Sequence, residues 1–201
     1  MEIFLNQVWK RYNAGWIIKD LSTRINSGSI TAIRGSNGSG KSTLLQLISG
    51  LLSVSKGEII YQHENQNVSR NLIYSYCAYG SASVELEEEF TPAELFRHYR
   101  NFKPFYIEDL DEFLSICDFK KEKNKTISNF SSGMKQRLNL ALTVNFKVPL
   151  LLLDEPGSFL DKEKKGWLLG YLDKFSSGRT IIIASNEESD LQLCNNSILL
   201  D

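Results

Sequence analysis

The stretch SITAIRGSNGSGKSTLLQLISGLL, residues 29–52, decides the fold. A short apolar run over 29–34 is typical of a strand, and leucines and one isoleucine at helical spacing after Thr43 predict a helix. The glycine-rich segment between them fits G-x-x-x-x-G-K-[ST] over residues 35–42. Its glycines let successive backbone N–H groups point at phosphate oxygens, and the helix start adds a positive dipole end. The stretch therefore predicts a strand, a phosphate-binding loop and a helix.

Two side chains at the end of the loop have separate predicted tasks. Lys41 places a point charge near the β- and γ-phosphates of a nucleotide, and the hydroxyl of Ser42 is suited to ligate Mg²⁺. A strand before the loop and a helix after it are the context that this motif requires, so we expect a nucleotide site here.

A second motif is an acidic pair after an apolar run. In LLLLDEP, residues 150–156, Asp154 and Glu155 follow a run that reads as a strand buried on both faces. The carboxyl ends of parallel strands form the ligand-binding edge of an open sheet. Asp154 is therefore a candidate for holding Mg²⁺, and Glu155 for orienting or deprotonating an attacking water.

The rest of the chain predicts an α/β protein with a helical insertion. The first thirty residues read as strands and turns, and further strands are expected at 57–61 and 71–79. Between 81 and 145 the periodicity becomes helical, with helices expected from Thr91 onward, over 107–117 and over 132–146. Apolar runs at 149–153 and 180–184, with a helix over 162–175 between them, then predict parallel strands joined by a crossover.

Composition narrows the class of protein. The 201 residues suit one domain, and the formal net charge of −1 gives no sign of a nucleic-acid partner. The three cysteines lack the spacing of a metal site or a disulfide framework, which favours a reducing compartment. No apolar run approaches the roughly 20 residues that span a bilayer, so any membrane part would come from another chain.

A third motif points to one family of nucleotide hydrolases. NFSSGMKQRLNLAL, residues 129–142, resembles the signature segment of ABC-type ATPases, LSGGQ followed by x-Q-R, and DEPGSFLD, residues 154–161, resembles their Walker B and D-loop. The resemblance covers essentially the whole chain and is nearest to short bacterial and haem-exporter-like transporter ATPases. It implies a P-loop NTPase (RecA-like) parallel core with an N-terminal antiparallel β subdomain. The single domain 1–201 would comprise a nucleotide-binding core, 1–80 and 146–201, and a helical subdomain, 81–145.

The resemblance also implies roles for individual residues. Tyr12 corresponds to the aromatic residue that stacks on adenine, with Trp16 as the alternative and a core aromatic as the other interpretation of either. Ser131 and Gly133, with Ser132 between them, correspond to the signature that contacts the ATP of the opposite subunit. Asp161 corresponds to the D-loop aspartate at the dimer interface. The residues that match Walker A are Gly35, Ser36, Asn37, Gly38, Ser39, Gly40, Lys41, Ser42 and Thr43.

Three positions depart from the family's pattern. In the signature, Ser132 replaces a glycine and Met134 replaces a glutamine, which predicts a weaker contact with the γ-phosphate. The glutamine of the Q-loop is missing, and Ala82 stands nearest its place. Asn186 occupies the position of the switch histidine and has no titratable proton. We expect Ser185 and Asn186 to face the γ-phosphate, with a polar cap of the strand end as the alternative.

These features predict an ATPase subunit that uses ATP and Mg²⁺ and energises a separate membrane permease. Hydrolysis should be slow but real, because Glu155 and Asp154 are present. The chain would act as a homodimer or a heterodimer on the cytoplasmic, inner face of the cell membrane, with the permease docking near the aromatic-rich stretch 80–106. The alternatives are a nucleotide-gated binding module with vestigial hydrolysis and a soluble ABC protein that is not part of a transporter. The substrate, the direction of transport and the dimer partner are not encoded here.

Overall fold

The structure, a computed structural model, describes residues 1–13 and 15–200. The strands of the described residues are β1 (Glu2–Tyr12), β2 (Gly15–Ile25), β3 (Ile30–Arg34), β4 (Lys56–His63), β5 (Gln66–Val68), β6 (Cys77–Ser81), β7 (Leu150–Asp154), β8 (Thr180–Ala184) and β9 (Asn196–Leu199). The α-helices are α1 (Lys41–Ile48), α2 (Ile73–Tyr76), α3 (Pro92–Arg100), α4 (Leu110–Ile116), α5 (Ser132–Asn145) and α6 (Lys162–Lys174).

The core sheet is parallel, as the sequence predicts, with strand order β6-β7-β8-β3-β9. Side chains alternate between its faces. Leu151 and Leu153 of β7 pack with the helical segment, whereas Leu150 and Leu152 pack with α1 and the other sheet. Both faces are therefore buried, which explains the unbroken apolar run of β7.

A second sheet forms from the N-terminal third. It is antiparallel, with order β2-β1-β4-β5, and its inner residues share a core with α1. This arrangement of a parallel core, an antiparallel sheet and added helices is the P-loop NTPase fold that the sequence predicts. None of the described helices is long and apolar enough to cross a bilayer.

The segment between β6 and β7 contains α3, α4 and α5. Thr91 caps α3 in a capping box with Glu94, and Pro92 is its first residue, as predicted. Ser131 caps α5 by accepting a hydrogen bond from the N–H of Met134 at 3.3 Å. The helices over 107–117 and 132–146 are confirmed with slightly shorter bounds. The division into 1–80 with 146–201 and 81–145 remains our interpretation.

The expected strand over 71–79 is partly wrong. Only the part from Cys77 onward is a strand, and residues 70–76 form a 3-10 turn followed by α2. Helical spacing lets Ile73 and Cys77 reach the same core. Arg70 also donates hydrogen bonds to the carbonyls of Gly50 and Leu52, which fixes this turn against the end of α1.

The aromatic residues of 80–106, the stretch near which we expect the permease to dock, are mostly buried or half-buried. Phe96 and Phe105 are 1% and 2% exposed and pack on each other, at 5.1 Å between ring centroids. Phe102 is 66% exposed, and the other three aromatic residues that drew attention to this segment are half-buried: Phe90, Tyr99 and Tyr106. The stretch is aromatic because it builds a core between helices, and Phe102 is the one aromatic side chain of the stretch that is mostly exposed.

Candidate functional site

The phosphate loop, the acidic pair and the polar residues after β8 meet at the carboxyl edge of the parallel sheet. In the register of the sheet, Ala184 pairs with both Ile33 and Asp154. Hence the loop after β3, the acidic pair after β7 and the polar residues after β8 leave the sheet side by side. This is the edge at which open α/β sheets bind ligands.

The phosphate loop is held in a tight turn that requires its glycines. A Cβ on Gly35 would lie 2.4 Å from the Oγ of Ser39 and 2.5 Å from the carbonyl oxygen of Leu200. Lys41 is 6% exposed, and its ammonium donates hydrogen bonds to the carbonyls of Gly35 at 2.9 Å and Ser36 at 3.2 Å. The lysine therefore lies across its own loop, beside the backbone N–H groups that phosphates would contact.

A cavity of about 360 Å³ extends along this loop. Tyr12, which is 42% exposed, lies on its wall, so the structure brings the adenine-stacking candidate to the phosphate loop. Trp16 lines a different cavity, together with Lys19 and Leu199, and contacts the ring of Trp9 edge-on. The geometry thus favours Tyr12 over Trp16. The predicted loop residues that line the cavity are Asn37, Gly38, Gly40, Lys41, Ser42 and Thr43.

A second cavity, of about 420 Å³, lies between Ser42 and the acidic pair. Asp154 is 5% exposed, and its Oδ2 accepts a hydrogen bond from the hydroxyl of Tyr79 at 3.0 Å. Its Oδ1 is buried without a hydrogen-bond partner. An unpaired buried carboxylate oxygen beside a serine hydroxyl suits Mg²⁺, which commonly takes one or two carboxylates and completes its shell with substrate phosphates and water. Within the described residues, no cluster of three or more His, Cys, Asp or Glu side chains forms a separate metal site.

Glu155 lies between the two cavities and lines both. Its backbone is left-handed, with φ of +48°, and its N–H donates to the carbonyl of Ala184 at 2.8 Å. Burial raises the pKa of its carboxyl, the charge of Lys41 opposes the rise, and Asp154 and Asp190 add to it. A carboxylate with a raised pKa that borders the phosphate loop is placed to accept a proton from a water molecule.

The two polar residues after β8 separate. Ser185 is fully buried, so the expectation that it faces the γ-phosphate is wrong. Its hydroxyl lies 2.7 Å from Oδ2 of Asp190 and 3.4 Å from Oε2 of Glu155. Asn186 is exposed, and its Nδ2 donates to Oδ1 of Asn37 in the phosphate loop at 2.8 Å. Ser185 thus contacts the buried side of Glu155 and Asp190, whereas Asn186 contacts the phosphate loop.

Comparison with known proteins agrees with this geometry. Residues 18–158 match the family model described as ABC transporter. The chain belongs to the ABC transporter family. It is 31% identical over 176 residues to the cytochrome c biogenesis ATP-binding export protein CcmA of Rickettsia conorii, covering 86% of this chain and 89% of CcmA. It is 30% identical over 183 residues to the energy-coupling factor transporter ATP-binding protein EcfA2 of Thermotoga maritima. That match covers 85% of this chain and 66%, just under two thirds, of EcfA2.

Solved structures share the fold of this ABC family chain. A putative ABC transporter ATP-binding protein from Pyrococcus furiosus superposes with a TM-score of 0.83 at 21% identity, covering 100% of this chain and 98% of that chain. The dimeric structure of the bacterial ABC transporter cassette MJ0796 gives a TM-score of 0.82 at 22% identity, with 98% and 94% covered. At these identities the likeness establishes the fold alone.

The residues predicted to form the ABC signature do not line the cavities at the phosphate loop of their own chain. Ser131 and Ser132 are exposed at the start of α5, and neither cavity at the phosphate loop includes them. A Cβ on Gly133 would lie 2.8 Å from the carbonyl oxygen of Phe159, so the signature packs closely under the D-loop. Asp161 caps α6 by accepting from the N–H of Lys164 at 2.9 Å. This contact gives Asp161 a structural role, whatever it does at an interface.

The structure places Ala82, the residue nearest the predicted Q-loop position, close to Asp154 and reveals a partner of Asp154 that the sequence did not. Ala82 lines the cavity beside Asp154 and brings only a methyl group to it. Tyr79, two residues before the end of β6, donates a hydrogen bond to Asp154. Sequence reasoning missed Tyr79, although the pairing of β6 with β7 makes it a neighbour. It also missed Asp190, for which the sequence carries no signal.

Proposed function

We propose that this chain is the energising subunit of an ABC transporter: it binds Mg-ATP, hydrolyses it slowly, and drives a separate membrane permease by closing on a second ATPase subunit. As a member of the ABC family it is an ATPase. The observation that carries the proposal is the meeting of Lys41, Ser42, Asp154 and Glu155 around two adjoining cavities. A binding module without catalysis has no need for the last of these.

ATP binding follows from the phosphate loop. We expect adenine to stack on Tyr12 and the phosphates to lie over the backbone N–H groups of 35–43. Lys41 would exchange its two carbonyl acceptors for phosphate oxygens, which are the stronger partners of an ammonium group. Ser42 and Asp154 would hold Mg²⁺, which, when bound, neutralises phosphate charge.

Hydrolysis follows from Glu155. Its carboxylate would accept the proton of the attacking water, and its raised pKa improves it as a base. Asn186 would exchange Asn37 for a γ-phosphate oxygen, and it donates as a neutral amide rather than as a cation. Because neutral hydrogen bonds stabilise developing negative charge less than charged ones, we expect slow turnover.

The assembly follows from the separation of the signature from the phosphate loop. Ser131, Ser132 and Gly133 would contact ATP held by a second copy or by another ABC ATPase, with Asp161 at the interface. One relative is named an export protein, and another belongs to an energy-coupling factor transporter. We place this chain likewise beside a permease, as a peripheral subunit on the cytoplasmic face of the membrane.

The test is steady-state phosphate release with Mg-ATP, compared with that of Glu155→Gln. Losing the general base should lower turnover by about 10² to 10⁴-fold while ATP binding persists. Equal turnover in both proteins would contradict the role of Glu155. No turnover in the wild-type chain, alone and with its permease, would contradict hydrolysis and favour a nucleotide-gated module.

A further inference from the structure

A buried carboxyl group lies behind Glu155, where the proposed hydrolysis assigns it no task. Asp190 belongs to the 3-10 turn Glu188–Leu191 and is 4% exposed. Its Oδ2 accepts the hydroxyl of Ser185 at 2.7 Å and the backbone N–H of Gly157 at 3.2 Å. The two donors belong to different segments, the end of β8 and the loop that follows Glu155. One carboxylate oxygen therefore connects both.

The carboxylate of Asp190 packs against Gly157, in the loop after Glu155, and leaves no space for a side chain there. A Cβ on Gly157 would lie 2.1 Å from Oδ1 and 2.8 Å from Cγ of Asp190. Position 157 therefore has to be glycine as long as Asp190 keeps its place. Burial raises the pKa of the Asp190 carboxyl, while the hydrogen bonds from Ser185 and Gly157 oppose the rise. A carboxyl group kept at such a place despite burial indicates that its hydrogen bonds matter.

The same contacts reach Glu155. A serine hydroxyl has one proton, and Ser185 lies closer to Asp190, at 2.7 Å, than to Oε2 of Glu155, at 3.4 Å. The proton therefore goes to Asp190, and the serine oxygen is fixed beside the carboxylate of Glu155. Glu155 also has a left-handed backbone, a conformation that persists only where the surroundings over-determine it. Both segments that Asp190 connects adjoin Glu155: the carbonyl of Ala184 at the end of β8 accepts the N–H of Glu155, and Gly157 follows two residues later in the chain.

We propose, on the basis of the hydrolysis proposed above, that Asp190 is a positioning residue. It fastens the loop at Gly157 to Ser185 at the end of β8, and so holds Glu155 toward the phosphate loop. Its contribution is the acceptor oxygen, not its charge. It lines neither cavity at the phosphate loop, and acts through Ser185 and Gly157.

The experiment compares Asp190→Ala, which removes the acceptor, with Asp190→Asn, whose amide oxygen can still accept both hydrogen bonds. We expect kcat of Asp190→Ala to fall about 10- to 100-fold, since small misplacements of reacting groups cost factors of this size. The KM for ATP should change less than about threefold, because the nucleotide contacts are intact. Asp190→Asn should recover most of kcat. Hydrogen exchange at the Gly157 amide should be faster in Asp190→Ala and near wild type in Asp190→Asn.

The matched control is Asn145→Ala. Asn145 is a fully buried side chain that bridges the N–H and the carbonyl of Ile107, at 2.8 and 3.1 Å, and it lines neither cavity at the phosphate loop. It should lose stability and keep kcat. If Asp190→Ala does not fold, Ser185→Ala removes the hydroxyl that donates to Asp190 and should lower kcat alone.

Three results would overturn the inference: unchanged kcat in Asp190→Ala, an equal loss in Asn145→Ala, or unchanged exchange at Gly157. A wild-type chain without turnover would refute the proposed hydrolysis, and any kinetic role of Asp190 with it. Amide exchange would then still establish whether the contact to Gly157 exists.

Discussion

Replacing Tyr79 with phenylalanine should weaken the use of Mg²⁺ without disturbing the phosphate loop. The hydroxyl of Tyr79 donates to Oδ2 of Asp154 at 3.0 Å, while Oδ1 of Asp154, which we propose to bind Mg²⁺, has no hydrogen-bond partner. Burial, and next to it the charge of Asp154, raise the pKa of the phenol, so Tyr79 remains a donor at neutral pH. Tyr79→Phe thus removes the hydroxyl that we expect to orient the carboxylate of Asp154, and the aromatic ring keeps its shape.

The size of the effect follows from the kind of hydrogen bond. A hydrogen bond to a charged group contributes about 1.5–3 kcal/mol, and loss of a partner that orients a metal ligand typically costs 10- to 100-fold in metal affinity. Because Tyr79 is half-buried, water replaces part of what is lost. We therefore expect the lower end, about a tenfold rise in the Mg²⁺ concentration that half-saturates hydrolysis.

The assay is phosphate release as a function of free Mg²⁺, with ATP binding measured separately in the absence of metal. Tyr61→Phe is the matched control, because the buried hydroxyl of Tyr61 donates to the backbone carbonyl of Leu47 at 3.3 Å, away from Asp154. It should cost about 1 kcal/mol of stability and leave the Mg²⁺ dependence unchanged. If Tyr79→Phe also leaves that dependence unchanged, Tyr79 does not orient Asp154 for the metal.

Two further predictions concern the candidate site, and a third concerns a buried arginine in the core. Tyr12→Ala should weaken ATP binding about tenfold, as expected when one base loses an aromatic stacking partner. Trp16→Ala should leave ATP affinity unchanged, because Trp16 lines another cavity. Fluorescence titration with ATP measures both affinities, and a larger loss in Trp16→Ala than in Tyr12→Ala would refute the assignment. Burial raises the pKa of Glu155, so as the pH falls its carboxylate is protonated before an ordinary glutamate would be. We therefore expect kcat, measured as a function of pH, to decline at a pH above the ordinary glutamate pKa of about 4.3. A decline that begins only below that pH would contradict the role of Glu155 as base. Arg179→Ala should lower the free energy of unfolding by about 2–5 kcal/mol and leave ATP affinity unchanged. The reason is that the buried guanidinium of Arg179 donates to the carbonyls of Val144 and Val148, at 2.8 and 3.1 Å. Urea denaturation measures the loss, and an unchanged midpoint would show that these hydrogen bonds contribute little.

The sequence predicts those parts of the site that arise from local patterns. The phosphate loop needs only a strand, glycines and a helix in order, and the acidic pair needs only the end of a buried strand. Both lie at the carboxyl edge of the parallel sheet, as expected. The sequence does not reveal the 3-10 turn and the short helix α2 over 70–76, because an apolar run of this length shows no periodicity that distinguishes a strand from a single helical turn. Arg70, which ties that turn to the end of α1, acts over a distance in sequence that no local pattern reports.

Contacts between segments explain the remaining differences. Tyr79 reaches Asp154 because β6 lies beside β7 in the sheet, although 75 residues separate the two in sequence. Asp190 reaches Gly157 because a 3-10 turn folds back under the loop after β7. Composition and periodicity carry no information about such pairings. A polar residue buried by a distant segment looks, in sequence, like an exposed one.

Ser185 and Asn186 illustrate this limit within two adjacent residues. Successive side chains at a strand end point in opposite directions, so one turns inward and the other turns toward the phosphate loop. The sequence shows two polar residues and cannot assign the directions until the partners of each are known. Ser185 finds Asp190 inside, and Asn186 finds Asn37 outside. We propose that Asn186 stands in place of the switch histidine, so that the outer contact has a neutral amide instead of a cation, while Ser185 keeps its inner contacts with Asp190 and Glu155. This division is the physical reason to expect a slow ATPase rather than an inactive one.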